Sequence, residues 1–297
     1  MRVAIIGGGA VGLLTGGYLS LTGHQIHIIT RTREQADILN SEGLKLETGN
    51  GTETVYVNAG PHTSTEYMDC DLWIITLKQT VLDSFLAKWR DVEGLPPVLF
   101  LQNGMGHMEK AEKALLSDLY AGIVTHGALK TGHNCVKHTG KGDIHIGFWR
   151  GSNHNLAAQL TIPDSFPVYE ASDIQLMLKR KLLVNLSVNP LTALYGVKNG
   201  ELLTNPEWAK NVKAIFSEGV SVLGLEENEW ETVEAVITRT GDNESSMLQD
   251  VKNGRKTETE AITGYMMQLA AEQGLELPVT SFLHRSITGI HGRGDAK

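Results

Sequence analysis

At 297 residues, 41% hydrophobic and 20% charged, the chain has material for two domains and lacks the compositional bias of a disordered segment. Its formal net charge of −8 is spread out with no strong basic run, which argues against nucleic acid as the main partner and leaves room only for a local basic pocket. Two distant cysteines, Cys70 and Cys135, form no disulfide framework or zinc pattern, the histidines form no metal-binding pair, and no stretch is apolar enough to cross a bilayer; no metal, no membrane and a reducing cytoplasm are expected.

In chain order, residues 3–6 read as a strand, 10–21 as a helix and 25–30 as a second strand. The glycines after Ile6 cut the first apolar run short of a signal-peptide core. Further buried strands are expected at 71–77, 97–102 and 122–126, with 144–148 as an edge strand. Short apolar strands separated by helix-length segments imply βαβ units and a parallel sheet. Around 161–172 the segment TIPDSFPVYEAS carries two of the eight prolines, and beyond it a helical period takes over. The expected fold is therefore α/β: an N-terminal Rossmann-type doubly wound sheet over residues 1–170, followed by a mainly α-helical domain over 171–297.

The first strand runs directly into Gly7-Gly8-Gly9-Ala10-Val11-Gly12, a match to GxGxxG, and that motif opens the first helix. Gly7 permits the tight turn, Gly9 lets a pyrophosphate approach the backbone, and Gly12 allows close helix–strand packing. The free N–H groups of the helix start suit an anion. At the end of the second strand an NAD site usually carries an acid for the ribose 2′-hydroxyl. Here Thr30-Arg31-Thr32-Arg33 stands instead, with no Asp or Glu before Glu34, which favours NADP through charge-assisted bonds to a 2′-phosphate. Arg31, first after the strand, is preferred over Arg33; the alternative is that both are ordinary surface residues.

Ligands of open α/β sheets gather beyond the carboxyl ends of the strands, where Lys78, Asn103 and His126 fall. Each also has a bland reading: a solvated loop lysine, an Asn-Gly turn, a structural histidine. In the helix expected over 173–191, Lys181, Asn185 and Asn189 share one stripe with Ile174, Met177, Leu178, Leu182 and Val188. A lysine and two asparagines in an apolar stripe are costly to desolvate unless something satisfies them. Either Lys181 pairs with a carboxylate in a structural network, or it acts as a proton donor whose pKa burial has lowered. Asn199, Ser246 and Glu258 complete the candidate site. Thr257 with Glu260 fits a capping box, which would put Glu258 in a first helical turn.

Taken together, GGGAVG at 7–12, TLK at 76–78, QNGMG at 102–106, RKLLVNLSVNPLTAL at 180–194, KNGEL at 198–202, SSMLQD at 245–250 and RKTE at 255–258 resemble the ketopantoate reductase (2-dehydropantoate 2-reductase) family, in the family's order. The resemblance implies NADPH-dependent reduction of 2-dehydropantoate in pantothenate synthesis, and a helical domain similar to the C-terminal fold of 6-phosphogluconate dehydrogenase. It implies Lys181 as general acid, Asn103 placing substrate and nicotinamide, and Glu258 orienting substrate or Lys181. Asn185, Asn189, Asn199 and Ser246 would bind the substrate's hydroxyl and carboxylate ends, and Arg31 and Lys78 the adenosine 2′-phosphate. The implied partner is a small molecule; a homodimer is among the assembly states left open. Two alternatives stand beside this: reduction of another branched 2-oxo acid, and an NADP-sensing module without turnover.

Overall fold

The computed structural model describes residues 1–64, 67–152, 156–160 and 164–291. It divides into two compact units, one of residues 1–102 and 107–175, the other of residues 103–106 and 176–297. In chain order the elements up to the division are β1 (Arg2–Ile6), α1 (Ala10–Leu21), β2 (Gln25–Thr30), α2 (Arg33–Glu42), β3 (Leu44–Thr48), β4 (Gly51–Val55), β5 (Asn58–Pro61), β6 (Leu72–Ile75), α3 (Gln79–Lys88), β7 (Val98–Phe100), α4 (Gly106–Ala114), β8 (Leu119–Val124), β9 (Gly127–Lys130), β10 (Cys135–Gly140), β11 (Ile144–Arg150), α5 (Leu156–Gln159) and β12 (Val168–Glu170).

Eight strands form one sheet in the order β12-β11-β8-β7-β6-β1-β2-β5. All neighbours are parallel except β8 and β11. The run β5-β2-β1-β6-β7-β8 is the doubly wound order expected, and it reverses direction between β1 and β6. The loops leaving these two strands, at Gly7–Gly9 and Thr76–Lys78, therefore flank the switch point where such sheets bind ligands. The central strands read as unbroken apolar runs because both faces are covered: Val3, Ala4, Ile5, Leu72, Trp73, Ile75, Val98 and Phe100 are fully buried.

Two expectations need correcting. The strand at 144–148 is not an edge: β11 pairs with β8 on one side and with β12 on the other. The proline-bearing stretch, whose residues 161–163 lie outside the described ones, leads into β12, so it still contributes to the sheet, and the division between units falls a few residues beyond it.

A second sheet, β4-β3-β10-β9, was not expected. Its outer strand β4, GTETV, is exposed at four of five positions and so shows no apolar run to read. This sheet explains the composition of α1. Residues 12–19 of that helix are all buried, and Gly17 lies against Leu44 and Leu46 of β3 while Gly16 lies against Ile5, Ile26 and Ile28 of the large sheet. A helix packed between two sheets has no polar face to show.

The second unit contains α6 (Ile174–Tyr195) from Leu176 onward, α7 (Glu201–Thr204), α8 (Pro206–Leu223), α9 (Glu229–Arg239), α10 (Ser246–Lys252), a π-helical turn (Glu260–Gly264), α11 (Tyr265–Gln273) and α12 (Pro278–His291). Asn205 caps α8 by accepting from the N–H groups of Glu207 and Trp208, and Gly224, at φ 62°, ends it in the left-handed region. Glu218 of α8 accepts from the N–H groups of Val279 and Thr280 and from Thr280 Oγ1, satisfying the first turn of α12.

The expected capping box is also corrected. Thr257 Oγ1 lies 2.6 Å from Thr259 Oγ1, and the Glu260 carboxylate lies 3.7 Å from His284 Nε2 instead of reaching back. Glu258 precedes the helix start, and its carbonyl accepts from the N–H groups of Ala261 and Ile262. No helix among the described residues is long and apolar enough to cross a membrane.

Candidate active site

The glycine motif forms an open cradle. Gly7 sits at φ 128°, which disfavours a side chain, and a Cβ there would also lie 2.7 Å from Thr76 Oγ1. A Cβ on Gly12 would lie 2.0 Å from the Gly7 carbonyl oxygen, so α1 approaches the turn as closely as glycine allows. A Cβ on Gly9 would meet nothing within 4 Å. Gly9 is exposed and stands at the N-cap of α1, where no side chain caps the helix and no acid occupies the first turn. The N–H groups of Ala10, Val11 and Gly12 thus begin a helix whose positive end is open to an anion. This geometry fits the pyrophosphate of a dinucleotide.

Residues that sequence reasoning missed hold the cradle in shape. Thr76 Oγ1, from the far side of the switch point, donates to the Gly7 carbonyl at 2.9 Å. Gln35, 5% exposed, donates from Nε2 to the carbonyls of Gly8 and His133, both at 2.8 Å. Lys130, at the end of β9, donates from Nζ to the Gly8 carbonyl at 2.9 Å. The strand carrying Lys130 belongs to the unexpected sheet, so its position relative to Gly8 had no signal in the sequence.

Arg31 follows β2 directly and is exposed; Arg33 is also exposed and opens α2, capped by Thr32. β1 and β2 run parallel with Ile6 opposite Ile29, so Arg31 emerges at the same sheet edge as the glycine turn. Lys78, exposed, is the N-cap of α3 just past β6.

In the second unit, Lys181, Asn185 and Asn189 lie one turn apart along one face of α6, with Lys181 and Asn185 half-buried and Asn189 buried. Burial pushes the Lys181 ammonium down to about 8, against the opposing pull of the Glu258 carboxylate, which favours the charged form. Glu258 Oε2 accepts a 3.0 Å hydrogen bond from Asn103 Nδ2. The fold thus brings Lys181, Glu258 and Asn103 into one electrostatic group, although they are far apart in sequence. The QNGMG segment supports this arrangement. Gly104 adopts φ 84°, and a Cβ on Gly106 would lie 2.8 Å from the Tyr265 ring, which follows the π-helical turn. Such turns recur at functional sites.

The remaining candidates have separate settings. Ser246 is exposed at the first position of α10. Its neighbour Ser245 is the cap, accepting from the Leu248 N–H and lying 2.7 Å from Thr192 Oγ1 of α6, so α10 is anchored to the helix that carries Lys181. Asn199 is buried; its Nδ2 donates to Thr240 Oγ1 and its backbone N–H to the Asn243 carbonyl, while Oδ1 is buried with no hydrogen-bond partner among the described residues. His126 lies in the first unit, buried against Phe166, with Nδ1 3.0 Å from His138 Nε2 and accepting from the Gly142 N–H. His138 in turn lies 2.7 Å from the Tyr18 hydroxyl. Desolvation, and then His138, push the His126 imidazole down to about 4, so it stays neutral at ordinary pH.

A doubly wound sheet with a glycine cradle, joined to a helical unit that carries a lysine of lowered pKa, defines a Rossmann-type oxidoreductase. Family models described as "Ketopantoate reductase PanE/ApbA" and "Ketopantoate reductase PanE/ApbA C terminal" match residues 3–151 and 173–291. The chain is 41% identical to a 2-dehydropantoate 2-reductase of Bacillus subtilis over 98% of its own length and 97% of the relative's. It is 32% identical to one from Listeria innocua over 98% and 97%. The solved structure of a probable 2-dehydropantoate 2-reductase from Bacillus subtilis superimposes with a TM-score of 0.91 at 40% identity, covering 98% of this chain and all of that one. The chain belongs to the ketopantoate reductase family.

Proposed function

We propose that the chain reduces 2-dehydropantoate to (R)-pantoate with NADPH, the reaction that would serve pantothenate synthesis. The observation that carries this reading is Lys181, a lysine whose pKa of about 8 lies near working pH and which shares its surroundings with the Glu258 carboxylate. When bound, the reduced nicotinamide supplies the hydride that goes to C2 of the substrate. As the C2–oxygen π bond gives its electron pair to oxygen, Lys181 Nζ releases a proton to that oxygen. In its charged form the same ammonium stabilises the negative charge growing there.

Glu258 raises the fraction of Lys181 that is protonated and orients the amine or the substrate; Asn103 holds Glu258 and helps to place substrate and nicotinamide. Asn185, Asn189, Asn199 and Ser246 bind the hydroxyl and carboxylate ends of the substrate. Asn185 and Asn189 share the Lys181 face of α6. Gly7 to Gly12 hold the pyrophosphate. Arg31 and Lys78 hold the 2′-phosphate, with Arg33 a weaker candidate, and the absence of an acid at the end of β2 supports NADP.

Loss of NADPH absorbance on adding 2-dehydropantoate tests the reading, with 2-oxoisovalerate as the competing substrate. Oxidation that is fastest with 2-dehydropantoate supports it. Cofactor binding without substrate-dependent oxidation would overturn it in favour of a sensing role.

A further inference from the structure

We propose that Lys130 is a specificity-determining residue that, together with Arg31, binds the adenosine 2′-phosphate of NADP above the glycine cradle. The inference rests on the NADP reading and adds a residue from the second sheet to it.

Lys130 Nζ lies 2.9 Å from the Gly8 carbonyl, which places the ammonium on the glycine turn itself. That carbonyl is already bonded by Gln35 Nε2, so the lysine is not needed to satisfy it. Gln35 also bonds the His133 carbonyl, which moors the β9–β10 turn, and therefore the lysine, to the motif. The ammonium is half-buried, and among the described residues no carboxylate lies within ion-pair distance of it. Its pKa is lowered first by burial and then by the charge of Arg31, so the two cations are electrostatic neighbours.

Two cations set together beside a turn, one of them partly desolvated, repel unless an anion joins them. The position identifies the anion. In a doubly wound fold the adenosine ribose lies beyond the second strand, next to the glycine turn, and Arg31 is the first residue past that strand. A 2′-phosphate is dianionic near neutral pH and can accept from both side chains. A 2′-hydroxyl has no charge to offer them. Lys130 therefore contributes to choosing NADP over NAD, which a purely structural tether of the loop would not do.

Lys130→Gln separates the two roles, because it removes the charge while keeping a side-chain donor. Affinities of the full-length protein for NADPH and NADH are measured by fluorescence or calorimetry, with thermal unfolding as a folding check. The expected result is a loss of about tenfold to a hundredfold in NADPH affinity, the scale of one charge-assisted bond, with NADH affinity unchanged. Equal losses for both cofactors, or no loss for either, would overturn the proposal and make Lys130 a tether or a bystander. A wild-type protein that binds NADH as tightly as NADPH would instead overturn the NADP reading on which it rests. Should Lys130→Gln fail to fold, Lys130→Met and the NADPH/NADH affinity ratio at rising ionic strength give the same discrimination.

Discussion

Asn103 Nδ2 donates a 3.0 Å hydrogen bond to Glu258 Oε2, joining the turn that follows β7 to the residue that precedes the π-helical turn. Glu258 is also the group that holds the Lys181 pKa up against desolvation. The Lys181 pKa therefore depends on the Glu258 charge, and the consequence is open to a pH profile. With the cationic amine as proton donor, kcat/KM for carbonyl reduction is constant below about 8 and falls above it. Glu258→Gln keeps an acceptor for Asn103 but removes the charge that favours the ammonium. The alkaline limb then moves to lower pH, read from kcat/KM across the range. A limb that stays in place or moves upward contradicts the coupling.

The glycines of the cradle divide into two kinds. A Cβ on Gly12 would lie 2.0 Å from a backbone oxygen, whereas one on Gly9 would meet no atom within 4 Å. Gly12→Ala is therefore expected to destabilise the protein by about 1–3 kcal/mol or more, seen as a lower unfolding midpoint in denaturant. Gly9→Ala should leave that midpoint nearly unchanged and weaken dinucleotide binding, because its added methyl enters the space a phosphate would take. Equal unfolding midpoints for the two variants would contradict this division.

Much of this arrangement was legible in the sequence, and what was hidden has physical causes. Helix α1 and strand β2 fall on the residues expected because a glycine turn and a clean apolar run mark their ends. The stripe of Lys181, Asn185 and Asn189 was visible from helical period alone, since polar residues in an apolar face stand out. The second sheet was not, because β4 is polar and exposed and β9 and β10 carry little apolar alternation. With that sheet went Lys130 and the mooring through Gln35. The local setting of Glu258 was misread. A Thr-x-x-Glu spacing fits a capping box, yet the Glu260 side chain faces His284 and the helix begins with a π-helical turn.

His126 makes a prediction about stability. Its pKa is about 4 in the fold and about 6.5 when unfolded. As pH falls, the unfolded chain takes up the proton first, so the contribution is complete above about 6.5 and is lost progressively towards about 4. At full extent it amounts to roughly 3 kcal/mol, and His138, whose pKa is also lowered, acts in the same direction. Denaturant midpoints measured across that range should fall with acid, and His126→Gln should flatten the slope. A wild-type slope unaffected by the substitution would show that other groups govern acid unfolding.

The central claim is that Lys181 supplies the proton. Single-turnover reduction of 2-dehydropantoate by Lys181→Ala, with NADPH affinity measured on the same preparation, tests it most directly. The expected result is a rate lower by about a hundredfold to ten-thousandfold, the usual contribution of a positioned general acid, with cofactor affinity retained. A substituted protein that reduces the substrate at close to the normal rate would contradict the assignment.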